Sequence, residues 1–499
     1  MSQPQRAFPQ SWPAGRDAPE LTLIHDSPAG VSTAGSAEET PVSQAEEPEN
    51  SVLLIRSWVV VAALWLVALA LAYWGCQRLE ASLARLPLTP PQVAVAPARG
   101  AGEREIGAVG ERAPRPSSGW LTKRDLAARL SPAALGRGDP RFLEFQGEAG
   151  QPLFVETTLD PQLQTQAFQW LRQTRAQEAA LVILNPVDGQ VLALAGWGRA
   201  EEGAELALSE PLPAASLFKI VTAAAAVEAA EYQAETPVAY DGGKHTLYKG
   251  NVIKRPDQGR WRTTLKEGFA ESNNTVFGKL GAFDLGAAEL TDYAHRFYFN
   301  QPLDFEMPVA LSRFQLDEGE DLFHLAELAS GFNRLTKATP LHGALLASIA
   351  LNDGLLQEPT LVREVFDRDN NIYYQSQPKT LGQVIDRATA EELRRLMEAA
   401  VALGTGRRKF ADAEEHPLLS GLVIGGKSGT INDELGRRVE WFVAYSYWPE
   451  PGSDPVWPLA LAAVVVNEGR PTLDSQGLIR RALIAYYQPL LDGTGRAYQ

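Results

Sequence analysis

Nineteen consecutive residues, Trp58 to Cys76 (WVVVAALWLVALALAYWGC), carry no charge and would place apolar side chains on every helical face. At 1.5 Å rise per residue, about 20 such residues cross a ~30 Å hydrocarbon core. Trp58 at one end and Tyr73 with Trp74 at the other are amphipathic rings that favour the headgroup region. A soluble helix would keep a polar stripe, and a cleaved signal peptide would be shorter and nearer Met1. A lipid anchor on Cys76 is disfavoured, because Tyr73, Trp74 and Gly75 precede it. The expectation is one transmembrane helix over 57–76, and it divides the chain. Residues 1–56, rich in Pro, Ala, Ser, Glu and Gln without hydrophobic periodicity, read as a disordered acidic cytoplasmic tail. Residues 77–150 read as a Pro-rich linker (PLTPPQVAVAPARG, APRPSS) with a short juxtamembrane segment (WLTKRDLAARL). A folded domain is expected over 151–495.

Charge narrows the partners. The formal net charge is -15 and the pI about 5.1, which repels phosphate backbones and argues against nucleic acid. With Cys76 alone, no intrachain disulfide can form. The histidines are scattered, and neither HExxH nor GxxxxGK[ST] occurs, so no metal and no cofactor are expected.

Within the folded domain, Pro161–Gln173 reads as a helix. Leu181–Leu184 and Val191–Ala195 read as strands around Pro186-Val187-Asp188-Gly189. Ala214–Ala230 is an Ala-rich helix and Thr389–Leu403 another. Leu422–Ile431 and Val439–Tyr447 form a hairpin over Asn432 to Gly436. Leu459–Val466 is a buried strand, and Ser475–Leu491 a closing helix. Strands at both ends with helices between predict an α+β fold, an antiparallel sheet flanked by helices with an inserted all-helical lobe.

Three short motifs occur in order along this domain. Ser216-Leu217-Phe218-Lys219 is an SxxK opening the Ala-rich helix. Residues three apart share a helix face, so Lys219 can reach the Ser216 hydroxyl. Serine is a poor nucleophile until a base takes its proton, and lysine is a base only when neutral. Burial, the helix dipole and a second cation such as Lys427 would lower its pKa, with Phe218 and the alanines as a dry lining. The second motif, Ser272-Asn273-Asn274, is an SxN. Ser272 would pass protons between Lys219 and a leaving group, Asn274 would hold Lys219 and a substrate amide, and Asn273 would point away. The third, Lys427-Ser428-Gly429-Thr430, enters a strand behind Gly425-Gly426. Its cation and hydroxyls would bind a carboxylate, and Gly429 leaves space. The backbone N–H groups of Thr430 and Ser216 would form an oxyanion hole. Each motif alone is common. A second SxxK, Ser376-Gln377-Pro378-Lys379, holds a proline in a polar stretch and reads as loop.

The ordered triple is that of penicillin-binding proteins and serine β-lactamases. The stretch Pro213–Val227 (PAASLFKIVTAAAAV) resembles the active-site helix of penicillin-binding transpeptidases. Val155–Leu171, Ala180–Gly196, Ala338–Gly354, Ala388–Gly406 and Gly425–Tyr445 resemble further landmarks of that domain. The resemblance implies an acyl-enzyme on Ser216, with peptidoglycan stem peptides as substrates and β-lactams as covalent inhibitors. It also implies membrane attachment by one helix and cell-wall synthesis proteins as partners. Residues 77–150 are too few and too Pro-rich for the glycosyltransferase domain of class A members, and the long pedestal of class B members is missing or very short. Ser428 stands where threonine is commoner, which keeps the hydroxyl.

Three alternatives follow from the same motifs. A D,D-carboxypeptidase would use water as acceptor. A β-lactamase or β-lactam sensor is faintly resembled by SLFK and WFVAY, but the second motif is SxN rather than SxV and no ExxLN occurs. A non-catalytic cell-wall scaffold would have no reason to keep Ser216, Lys219, Ser272, Asn274 and Lys427 together. Orientation is contested by charge: Arg56 precedes the apolar run, whereas Arg78, Arg85 and Arg99 follow it, which favours a cytoplasmic C-terminal domain. The wall peptide exists only outside, so the expectation is a single-pass protein of the cytoplasmic membrane with its catalytic domain extracytoplasmic.

Overall fold

Strands that are apolar at every position need cover on both faces, and that requirement organises the molecule. The computed structural model describes residues 120–492, apart from 137–138, 149, 199–201, 204, 210, 317–320, 412–415, 451–453 and 470. The expected tail over 1–56, the membrane helix over 57–76 and the linker before residue 120 lie outside the described residues. Among the described residues no helix is long and apolar enough to cross a membrane.

The chain runs through α1 (Lys123–Ala127), β1 (Phe142–Gln146), β2 (Pro152–Thr157), α2 (Pro161–Gln173), β3 (Glu178–Leu184), β4 (Val191–Gly198) and β5 (Glu202–Gly203). A middle section begins with β6 (Leu212–Pro213), a 3-10 turn over Ala215–Phe218 and α3 (Lys219–Glu228). It continues through β7 (Pro237–Tyr240), β8 (Trp261–Thr264), α4 (Leu265–Ala270), α5 (Asn274–Lys279), α6 (Gly286–Arg296) and α7 (Leu322–Ser330). After β9 (Lys337–Ala338) come α8 (Pro340–Leu351), β10 (Leu355–Gln357), β11 (Val362–Phe366), β12 (Ile372–Gln375), β13 (Thr380–Gln383) and α9 (Arg387–Ala402). The last section is β14 (Val423–Asn432), β15 (Arg438–Trp448), β16 (Val456–Asn467) and α10 (Ser475–Leu491).

The main sheet is antiparallel with order β14-β15-β16-β3-β4-β5. Side chains alternate across it. Ala180, Val182 and Leu184 of β3 and Ala460, Ala462 and Val464 of β16 enter one core. Ala179, Leu181 and Ile183 with Leu459, Leu461, Ala463 and Val465 enter the other. The second core is closed by Leu163, Ala167 and Leu171 of α2 and by Leu478, Ile479, Ala482 and Leu483 of α10. Asp160 and Asp474 cap these helices, accepting from Leu163 N at 2.8 Å and Gly477 N at 2.8 Å. On the opposite face α8 is buried along its whole length, and α3 is buried from Lys219 to Ala226. The small Ala223–Ala226 side chains let neighbouring helices approach α3 from all sides.

The α+β expectation holds, with antiparallel sheets and packed helices. The inserted section is not all-helical. It contributes the ribbons β7–β8 and β10–β13, and β11–β12 join β2 and β1 in a four-stranded sheet ordered β1-β2-β11-β12. The fold also takes in residues before 151. Strand β1 pairs with β2 from Phe142↔Glu156 to Gln146↔Pro152, and Leu126, Leu130 and Leu135 enter the first core. Pairing such as Val362↔Thr157 joins segments far apart in sequence, which no local pattern announces.

Candidate active site

The Ala-rich helix starts later than its composition predicts. Residues 215–218 form a 3-10 turn and the α-helix begins at Lys219. Tertiary packing overrides the helix propensity here. Ala215 is held at φ 50°, and Gly331, φ +67°, terminates α7 directly against it. A Cβ on Gly331 would lie 1.9 Å from the Ala215 carbonyl oxygen. The indole Nε1 of Trp441 on β15 donates to the Pro213 carbonyl at 2.9 Å and fixes the entry of the turn. Ser216 is half-buried, between completely covered Leu217 and the Ala214-Ala215 pair.

Lys219 is 0% exposed. Its Nζ donates to Ser216 Oγ at 2.8 Å, to Asn274 Oδ1 at 2.8 Å, and to the Ser330 carbonyl at the end of α7. Burial holds its pKa well below the ordinary 10.5, and the Lys427 charge adds to the fall. Lys427, also 0% exposed, donates to Ser272 Oγ at 2.9 Å and to the Ser428 carbonyl at 2.8 Å. Burial pushes it down to about 7. The expected dry lining is supplied by other residues. Phe218 stacks away on Phe314, centroids 5.0 Å apart. The rings that face the ammonium groups are Phe277, 5.8 Å from Lys219 Nζ, and Phe269, 5.5 Å from Lys427 Nζ.

The SxN motif is the link between α4 and α5. Ser272 occupies the left-handed region at φ 57°. Asn273 is buried and caps α5, accepting from Thr275 N at 3.1 Å and Val276 N at 3.2 Å. Its side-chain hydrogen bonds go to α5 and to neither lysine, and they orient the element that carries Asn274. Asn274 is further held by Lys244 and His245: its N–H donates to the Lys244 carbonyl at 2.7 Å and its Nδ2 to the His245 carbonyl at 3.0 Å.

Lys427, Ser428, Gly429 and Thr430 lie on β14, the edge strand of the main sheet. A Cβ on Gly429 would sit 3.3 Å from the Ala214 carbonyl oxygen and 3.3 Å from Ser216 N, so glycine lets the strand lie against the nucleophile turn. Thr430 is exposed. Ser428 Oγ donates to Thr405 Oγ1 at 2.7 Å, a partner no motif marked. All eight residues singled out in the sequence are thus brought to one site. Sequence reasoning missed Phe269, Phe277, Thr405 and the Ser330 carbonyl. The phenylalanines flanking the SxN were the one available signal.

A profile of the family described as "Penicillin binding protein transpeptidase domain" matches residues 179–473, more than half of the 499-residue chain. Peptidoglycan D,D-transpeptidase PbpA of Mycolicibacterium smegmatis is 25% identical over 357 residues, 65% of this chain and 69% of that protein. Stage V sporulation protein D of Bacillus subtilis is 29% identical over 218 residues, 43% of this chain and 32% of that protein, so the match spans about a third of its length. Among solved structures, the D,D-transpeptidase domain of an Eggerthella lenta peptidoglycan glycosyltransferase matches with TM-score 0.54 at 21% identity, covering 71% of this chain and 96% of that one. The imipenem acyl-enzyme complex of penicillin-binding protein A from M. tuberculosis matches with TM-score 0.55 at 23% identity, covering 67% and 79%. By the family match, which reaches from β3 to the start of the closing helix, this chain belongs to the penicillin-binding protein transpeptidase domain family.

Proposed function

We propose that the chain is a membrane-anchored peptidoglycan D,D-transpeptidase that cross-links stem peptides through an acyl-enzyme on Ser216. The observation that carries the reading is Lys219: completely buried, 2.8 Å from Ser216 Oγ, and with its pKa driven down by burial and by a second buried lysine. A neutral Lys219 takes the Ser216 proton as Oγ attacks the D-alanyl carbonyl. The Ser216 and Thr430 N–H groups stabilise the oxyanion. The C–N bond then breaks, and the departing amine takes its proton from Lys219 through Ser272, which Lys427 orients. In the second half an acceptor amine attacks the ester, its proton returns through Lys219 to Ser216 Oγ, and an amide forms as the C–O bond breaks. Asn274 holds Lys219 and a substrate amide, while Ser428, Thr430 and the Lys427 charge receive the terminal carboxylate. Gly429 keeps that strand close to the nucleophile.

The relatives named D,D-transpeptidase and the acyl-enzyme form of a fold neighbour support the reading. The apolar run over 57–76 would anchor the chain in the cytoplasmic membrane with this domain outside. The decisive experiment is penicillin labelling followed by peptide mapping, run beside a peptide assay with a D-amino-acid acceptor. One adduct on the Ser216 peptide, slow release and acceptor exchange are expected. An adduct on Ser376, or none on folded protein, overturns the site. D-Ala release without exchange moves the assignment to a carboxypeptidase, and rapid penicillin turnover to a β-lactamase.

A further inference from the structure

Strand β14 is an edge strand, and its free side lies against the nucleophile turn. It pairs with β15 without a register shift, from Val423↔Tyr447 to Asn432↔Arg438. Just beyond, Asp433 N donates to the Arg437 carbonyl at 2.9 Å. Bonded and non-bonded pairs alternate along an antiparallel ladder. The backbone groups of Lys427, Gly429 and Ile431 therefore face β15, and those of Ser428, Thr430 and Asn432 face the open edge. Two of these three outward carbonyls are taken by cations of the protein itself. Lys427 Nζ donates to the Ser428 carbonyl at 2.8 Å, and Arg334 Nε to the Asn432 carbonyl at 2.6 Å. Thr430, between them, keeps both its N–H and its carbonyl for an incoming chain.

Arg334 reaches β14 from the segment 331–336, which is tied to the nucleophile turn at both ends. A Cβ on Gly331 would lie 3.2 Å from Ser216 N, and Ala214 N donates to the Thr336 carbonyl at 2.9 Å. Between these ties Asn333 Oδ1 accepts from Leu335 N at 3.0 Å and from Thr336 N at 2.8 Å, which fixes the turn around Arg334. Arg334 is exposed and forms no ion pair among the described residues. The two acids that follow Asn432 are already engaged, Asp433 by Arg437 at 2.7 Å and Glu434 by Lys337 at 2.9 Å. With Nε on the strand, both Nη groups of Arg334 remain, a planar fork suited to a carboxylate.

We infer that Arg334 is a specificity residue for the donor, taking a carboxylate carried by the residue just upstream of the acylated D-alanine. The inference rests on the acyl-enzyme reading of Ser216. A donor whose scissile carbonyl meets the Thr430 N–H, and whose terminal carboxylate meets Lys427, must run antiparallel to β14. Its upstream residues then lie toward Asn432. Thr430 and Asn432 are two strand residues apart, about 7 Å. An extended donor covers about half of that with one residue, and an acidic side chain on that residue spans the remainder. Because Arg334 occupies the Asn432 carbonyl, backbone pairing ends at Thr430, and recognition further upstream passes to side chains. Lys427 and Arg334 thus bracket the donor, one reading its terminal carboxylate and the other a carboxylate before the acylated residue.

The test uses the full chain and two penicillins, benzylpenicillin and carbenicillin. They differ only in a carboxylate on the carbon beyond the side-chain amide, the place of the upstream residue's side chain in a donor peptide. Stopped-flow measurement gives the second-order acylation rate constant for each. Arg334→Gln should lower the ratio of the two constants, carbenicillin over benzylpenicillin, by roughly tenfold, the worth of one charge-assisted hydrogen bond. Arg334→Lys, which keeps the charge without the fork, should restore part of the ratio. A ratio equal to that of the wild type overturns the assignment. Slower acylation by both penicillins at an unchanged ratio also overturns it, and leaves Arg334 as a brace for the end of β14. A wild-type chain that benzylpenicillin does not acylate on Ser216 brings down instead the serine chemistry beneath the inference.

Discussion

The chain contains the pattern SxxK twice, and the structure gives the two copies opposite surroundings. Lys219 is 0% exposed, has no carboxylate among its partners, and is pushed well below its ordinary pKa by burial first and by Lys427 second. Lys379 has a side chain 59% exposed and donates to Glu358 at 2.9 Å, which raises its pKa. The residue types and spacing are the same. The difference is geometric: Ser216 and Lys219 lie on a continuous 3-10 to α segment that brings them to 2.8 Å. Ser376 follows β12, and Pro378 bars a helix between it and Lys379. A motif acquires chemistry from the element that carries it and from what surrounds its charge.

The largest expected effect breaks this comparison directly. Lys219→Ala should lower the penicillin acylation rate by ~10²–10⁴, the usual worth of general-base help. Lys379→Ala should leave it at the wild-type rate. Stopped-flow acylation of both variants, with circular dichroism to check folding, measures this. Equal rates for Lys219→Ala and wild type would remove the proton-transfer role.

Next in size is a pH effect whose sign separates the two lysine environments. Unfolded Lys427 binds its proton up to about its ordinary 10.5, whereas the folded group holds it only below about 7. Between these values the unfolded chain binds more protons, so stability rises with pH across that window. The buried charge therefore costs stability at low pH that is recovered as the proton is lost, on the order of a few kcal/mol. Lys219 acts in the same direction. Lys379, with its folded pKa raised, stabilises the fold below the ordinary value, and that contribution is lost only above it. Urea midpoints of the purified chain should climb from pH 7 to 9. Lys427→Met should flatten the climb, and Lys379→Met should not. A flat wild-type profile would show that both buried lysines stay charged.

The contrast also explains what the sequence could and could not reveal. Helices α2 and α10 were readable with their ends because their caps, Asp160 and Asp474, are local, and the apolar runs Leu181–Leu184 and Leu459–Val466 inside β3 and β16 were readable as strands. The ordered motifs located Ser216, Lys219, Ser272, Asn274 and Lys427. The start of α3 was misjudged because Gly331, more than a hundred residues later, dictates the backbone at Ala215. The four-stranded sheet was invisible because β2 and β11 meet only in the folded chain. Thr405 and the Ser330 carbonyl belong to no motif, since what they contribute is a position reached through tertiary packing.

The smallest expected effect concerns what the second copy does instead of chemistry. Glu358 is 5% exposed and receives two lysines: Lys379 at 2.9 Å and Lys123 of α1 at 3.1 Å. Lys123 also lies 3.6 Å from Glu306, which is completely buried and accepts from Thr360 Oγ1 at 2.7 Å, Tyr374 Oη at 2.9 Å and Leu361 N at 3.0 Å. The cluster thus ties the first described helix to the segment that leads into β11 and, through Tyr374, to β12. Lys379 contributes from its solvent edge, where an ion pair is worth about 0–1 kcal/mol. Lys379→Met should therefore lower stability by less than about 1 kcal/mol, because Lys123 still neutralises Glu358. Lys123→Met should cost more, since it leaves Glu306 without its cation in a buried site. Chemical denaturation of the two variants ranks them. If Lys379→Met proved the more damaging, the second SxxK would have a structural weight comparable to that of the first, and the distinction drawn from burial would fail.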